Sequence, residues 1–173
     1  MGMVFSVALL GRVVGGDSPW FALIASFCVL GLFDLLLPFI RIRMPRFFRP
    51  VRAWEVQSGI YRAMGVPAFG ELLRRTPARW LNRRVYLNAF RGDLSVVRTQ
   101  IENAESAHFW GAVATVPYLA VAWSKGWWEA LMSVMLFNLI VNAYPIFHLR
   151  TVRARIDETS RKGRTRERNQ NNR

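Results

Sequence analysis

The chain has one cysteine, Cys28, and two histidines, His108 and His148, in 173 residues. A single thiol excludes an intrachain disulfide, and Cys28 lies within an apolar run, where it reads as a small buried residue. So few soft ligands also speak against a metal centre. The spacing Glu105-x-x-His108 has only His148 to add, a thin ligand set, and no bound metal or cofactor is expected. Gly59, Gly65 and Gly70 are interrupted by Pro67 and match no dinucleotide or phosphate-loop fingerprint. No serine or cysteine nucleophile stands beside a base in a known motif. Acidic residues are scarce, 11 against 24 Lys and Arg, and the apolar runs lack strand-like alternation.

What the chain does have is apolar length and positive charge, kept apart. It is 52% hydrophobic with a net charge of +13. Three runs, about 18–40, 107–123 and 128–149, are apolar enough to be expected as membrane spans. The fold class expected is an all-α membrane protein, with about three transmembrane helices and amphipathic interfacial helices on the cytoplasmic side. Residues 1–17 form a short apolar segment, 18–155 a single membrane domain, and 156–173 a basic tail that reads as disordered. The cytoplasmic segment, 41–106, alternates arginines with Phe, Trp, Tyr and Leu, a pattern suited to the lipid interface. Within it, Asp93 is placed to cap the helix that leads into the second span.

Charge sets the expected orientation. Of the 24 Lys and Arg, 13 fall in 41–106 and 9 in 150–173, which places both segments in the cytoplasm and the N-terminus outside. Trp20, Trp123, Trp127 and Trp128 gather at the expected outer boundary. The same basic excess is explained by topology and by anionic lipid, worth about 1 kcal/mol per residue near the surface. No nucleic-acid partner is expected.

Several polar residues interrupt this scheme. Leu94, Val97, Ile101 and Ala104 trace an apolar stripe at helical spacing, and its continuation carries Glu105 and His108 to the mouth of the second span. Asn138 and Asn142 are one turn apart in the third span and need partners on another helix. Tyr144, Pro145, His148 and Arg150 follow, with Pro145 expected to kink or end the helix. Asp34, in the first span, is near enough to the cytoplasmic end to join them. One reading is structural: Glu105 pairs with an arginine such as Arg150, and His108 caps a carbonyl. The other is a reactive site with His108 as general base, oriented by Glu105.

The segment A-E-S-A-H (104–108), then N-A-Y-P (142–145) with Arg150, Arg153 and Arg155, resembles the bacterial glycosyl-diaponeurosporenoate acyltransferase family. W-E-V-Q-S-G-I-Y-R-A-M-G-V (54–66) is similar to a further family region, matching at Glu55, Gly59, Tyr61, Gly65 and Val66. The resemblance implies a protein of the bacterial cytoplasmic (inner) membrane that passes a fatty acyl group to a sugar hydroxyl of a glycosylated carotenoid or related glycolipid. It implies acyl-CoA or a similar donor as co-substrate, with Arg150, Arg153 and Arg155 on its phosphates, and Glu55 in substrate binding. Asn142 or Tyr144 would then hold the developing oxyanion. The chain departs from the family pattern at Leu149, Thr151 and Val152, where an amide, a phenol and an amide are expected. The alternative reading is a non-catalytic small membrane subunit of a larger pigment–protein or transport complex. Under either, membrane lipids are partners, and a homo-oligomer or a larger membrane complex is plausible.

Overall fold

The computed structural model of the chain describes residues 14–40, 43–52, 54–55, 59–76 and 94–171, and among them every regular element is helical. In chain order these are α1 (Pro19–Ile40), α2 (Ile60–Ala63), α3 (Val66–Arg75), α4 (Leu94–Lys125), α5 (Trp128–Phe137), a π-helical turn (Asn138–Ala143) and α6 (Tyr144–Asn171). The leading segment 1–13 and the Trp80 to Asp93 stretch, including the expected cap Asp93, lie outside the described residues. By its internal contacts the chain divides into two compact units. The first unit comprises Met1–Ile42 and Ser106–Pro145, the second Arg43–Glu105 and Ile146–Arg173. The division follows from α4 and α6, because each of these long helices contributes residues to both units.

In the first unit small residues are buried together with Leu131, Val134 and Phe137, while many other large apolar residues are exposed. α1 packs on α5 through Ala22, Ala130 and Val134, with Tyr118, Leu119 and Trp127 around them. Ser26, Gly111, Thr115 and Ala122 are also buried. Ile24, Phe27, Val116, Met132, Leu136 and Ile140 face outward. Small residues let helix backbones approach closely where burial of apolar surface supplies little driving force, as happens in lipid. Trp123 and Trp128 meet edge to face at 5.2 Å beside the α4–α5 connection. That connection closes where Trp127 N–H donates to the Ala122 carbonyl at 2.9 Å, with Gly126 taking the left-handed φ of 70° the turn needs.

One described helix, Trp128–Lys162, is long and apolar enough to cross a membrane. The other two expected spans differ in quality. That at 18–40 coincides with α1 (Pro19–Ile40). That at 107–123 lies within α4, where Gly111, Thr115, Pro117 and Tyr118 dilute the run. Pro145 neither ends nor breaks the third run, because it follows directly on the wider π-helical turn and occupies the second position of α6.

The second unit has its own core: Val97, Ile101, Leu149 and Ile156, with Ala104 and Val152 packed against it. Three of the four stripe residues thus face inward, while Leu94 is exposed. Outside, Phe47, Phe48, Trp54 and Leu72 are exposed, and Arg52 lies 5.0 Å over the Phe47 ring. The basic stretch beyond 155, read from sequence as disordered, continues α6 as helix to Asn171. The packed turn at Leu149–Ile156 removes the cost of nucleation. Lys162 then pairs with Glu158 one turn earlier at 2.7 Å.

Candidate functional site

In the first unit a file of polar side chains runs between α4 and the π-helical turn. The Thr115 hydroxyl donates to the Ala112 carbonyl at 2.7 Å. Asn138 Nδ2 donates to Thr115 Oγ1 at 2.8 Å and to the Val134 carbonyl at 3.1 Å. Asn142 Nδ2 donates to Asn138 Oδ1 at 2.7 Å. The file ends where Asn142 Oδ1 meets His108 Nδ1 at 3.4 Å. Asn142 is 1% exposed and Thr115 is 5% exposed, so the amides meet each other rather than water. The sequence flags Asn138 and Asn142 as amides in need of partners. Thr115, which supplies one, carries no such flag, and neither does the π-helical turn that sets both amides on one side.

Gly111 makes the approach possible. A Cβ there would stand 3.0 Å from Leu30 Cδ1 and 3.4 Å from Asn142 Oδ1. Gly111→Leu is therefore expected to separate α4 from its neighbours at a cost of about 1–3 kcal/mol. Thermal unfolding in detergent checks this, and a melting temperature equal to the native one would refute it.

The second unit holds two buried ion pairs. Arg150 grips Glu55 with both arms, Nε to Oε2 and Nη2 to Oε1, each at 2.8 Å. Its remaining donors reach the Phe48 carbonyl at 2.6 Å and the Pro50 carbonyl at 2.8 Å. The Tyr61 hydroxyl donates to Glu55 Oε2 at 2.8 Å. Burial raises the Glu55 carboxyl, but Tyr61 and Arg150 outweigh it and hold the group below its ordinary value. Burial and the Glu55 charge push Tyr61 up to about 12, so its hydroxyl stays protonated as the donor. Arg153 donates to the Arg49 carbonyl and pairs with Glu105 Oε2 at 3.1 Å.

Glu105 is 1% exposed, two residues short of the expected second span. Its Oε1 has no hydrogen-bond partner among the described residues. Burial drives this carboxyl up to about 7 against the pull of Arg153 and Arg150. A carboxyl raised on folding stabilises the fold most while protonated. This contribution is full below about pH 4.5 and is lost as pH rises through about 7. The melting temperature is expected to fall as pH passes 7, and Glu105→Gln is expected to flatten that part of the profile. An unchanged slope in Glu105→Gln would contradict it.

Alongside lies a cavity of about 360 Å³ lined by Tyr61, Arg62, Arg74, His148, Thr151 and Arg155, among others. Gly70 forms its floor under the His148 ring: a Cβ there would come within 2.6 Å of His148 Cε1. Tyr61 stacks on Phe147 at 5.4 Å. Arg74 also holds Glu71.

The expected site residues belong to both units. His108 and Asn142 meet in the first unit, and Tyr144 is half-buried at the start of α6. Glu55, Glu105, Arg150 and Arg153 form the ion pairs of the second unit. Arg155 is exposed on the cavity wall. The side chain of Asp34 lies outside the described residues. Among the described residues, no group of three or more His, Cys, Asp or Glu could hold a metal.

A family model for glycosyl-4,4'-diaponeurosporenoate acyltransferase matches residues 44–162. No curated protein and no solved structure matches the chain.

Proposed function

Because the chain belongs to the glycosyl-4,4'-diaponeurosporenoate acyltransferase family, we propose that it moves a fatty acyl group from a phosphate-bearing thioester donor to a sugar hydroxyl of a glycosylated carotenoid or related glycolipid. The observation that carries the reading is the polar file ending on the His108 ring inside an otherwise apolar helical unit. The outward-facing large apolar residues of that unit support a place in the bacterial inner membrane, and the Lys and Arg distribution supports an outside N-terminus and a cytoplasmic C-terminus.

In this reaction His108 takes the proton of the acceptor hydroxyl as its oxygen attacks the thioester carbonyl. The tetrahedral intermediate collapses, the carbon–sulfur bond breaks, and the departing thiolate receives the proton from the imidazolium. The products are an ester and a free thiol. Tyr144 and the second N–H of Asn142 Nδ2 are the donors we assign to the oxyanion.

For the donor's phosphates we assign Arg155 with Arg62 and Arg74 on the cavity wall. Arg150 and Arg153, also expected there from sequence, already neutralise Glu55 and Glu105. The departures from the family pattern support a changed specificity over a lost activity. Leu149 and Val152 pack in or against the core, and Thr151 and Val152 line the cavity. Gly70→Ala is expected to displace the His148 ring and raise the donor KM about tenfold at unchanged kcat. Steady-state kinetics on purified protein in lipid bilayers, with acyl-CoA and a glycosylated carotenoid, measures this. Ester formation is the expected result. Its absence with folded native protein, across donors of different acyl length, would overturn the function.

A further inference from the structure

A neutral imidazole can serve as a base only through the nitrogen that lacks a proton, and the file of side chains in the first unit decides which one that is. The deduction starts from a backbone carbonyl, which can only accept. The atom of Asn138 that faces the Val134 carbonyl at 3.1 Å must therefore be its Nδ2. The same assignment follows from Thr115. Its hydroxyl hydrogen goes to the Ala112 carbonyl, so its oxygen is left to accept from Asn138. Two independent anchors thus fix the Asn138 amide, and its Oδ1 is turned toward Asn142.

Asn142 must then present Nδ2 to Asn138, which it does at 2.7 Å. That turns Asn142 Oδ1 toward His108 Nδ1 at 3.4 Å. An amide oxygen cannot donate, so the hydrogen in this contact belongs to the ring. We propose that Thr115, Asn138 and Asn142 hold His108 as the Nδ1–H tautomer and so make Nε2 its basic nitrogen. Asn142 touches the ring, whereas Asn138 and Thr115 are positioning residues that act through it.

The file does for His108 what a carboxylate does for the histidine of a hydrolytic triad, without burying a negative charge. Glu105, the orienting group expected from sequence, pairs through Oε2 with Arg153. The consequence for acyl transfer rests on the function proposed above; the tautomer itself does not.

The chain's two histidines make the test direct. Full-length protein carrying ring-15N histidine, in lipid bilayers at a pH where the rings are neutral, gives one pair of ring signals for each histidine. His108→Gln identifies the pair that belongs to His108. The expected spectrum shows a protonated Nδ1 and an unprotonated Nε2. A native spectrum with the proton on Nε2 would overturn the inference outright.

Asn138→Leu tests the positioning role. It frees Asn142 to turn its amide, so the proton on His108 is expected to move to Nε2 although residue 138 does not define the ring contact. An unmoved proton in folded Asn138→Leu would also overturn the proposal. If that variant does not accumulate, Asn142→Leu removes the acceptor itself and the same shift is read. In the acyl-transfer assay Asn138→Leu is expected to lower kcat about 10²-fold at unchanged donor KM. A native Nδ1–H ring in protein that forms no ester would leave the tautomer standing and remove the acyltransferase reading. Ester formation by a native Nε2–H ring would do the reverse.

Discussion

Arg150→Ala is expected to destabilise the second unit by about 3–5 kcal/mol, enough to keep most of the chain from accumulating folded. The side chains of Arg150 and Glu55 are each 10% exposed, and truncating the arginine leaves the carboxylate buried without its counter-ion. The loss reaches further than one pair. Arg150 also binds the carbonyls of Phe48 and Pro50, and so fastens the 43–55 segment to α6 across about a hundred residues of sequence. Removing both charges is a milder change, because no lone charge remains. Glu55→Leu with Arg150→Leu should recover part of the stability. Thermal unfolding in detergent, with protease cleavage of the 43–76 segment as second readout, separates these cases. A native melting temperature for Arg150→Ala would contradict the assignment.

The same pair marks the limit of what one sequence discloses. Glu55 and Arg150 are 95 positions apart, and charge patterning offers more than twenty basic residues as partners. The periodic features were legible. Val97, Ile101 and Ala104 recur at helical spacing, and they face the core of the second unit. Asn138 and Asn142 stand one turn apart in an apolar run, and they bond to each other. The pairing of Glu105 with an arginine was readable as a class of interaction, though its partner is Arg153 rather than Arg150.

Other features had no signal in the chain. A π-helical turn changes which faces of a helix align without altering composition, so the alignment of both amides with Thr115 could not be read from spacing. The helicity of the tail was hidden for another reason. Its composition matches a solvated coil, and the helix extends from the packed turn that precedes it.

The largest functional effect is expected at His108. Removing a general base costs roughly 10²–10⁴-fold in rate, and glutamine keeps most of the side chain's bulk and polarity while providing no base. The ring is half-buried and its file of partners lies within one compact unit, so His108→Gln should accumulate folded and lose only the proton transfer. A purely structural histidine would behave in the opposite way, with stability falling and turnover per folded molecule unchanged.

The most direct measurement is lipid and pigment mass spectrometry on cells producing the native chain, His108→Gln, or no protein, with folded protein quantified alongside. An acylated glycoside or glycolipid that appears with the native chain, and is reduced at least about 10²-fold in His108→Gln, is the predicted result. Three matching profiles, with both proteins folded in the membrane at equal levels, would contradict the account.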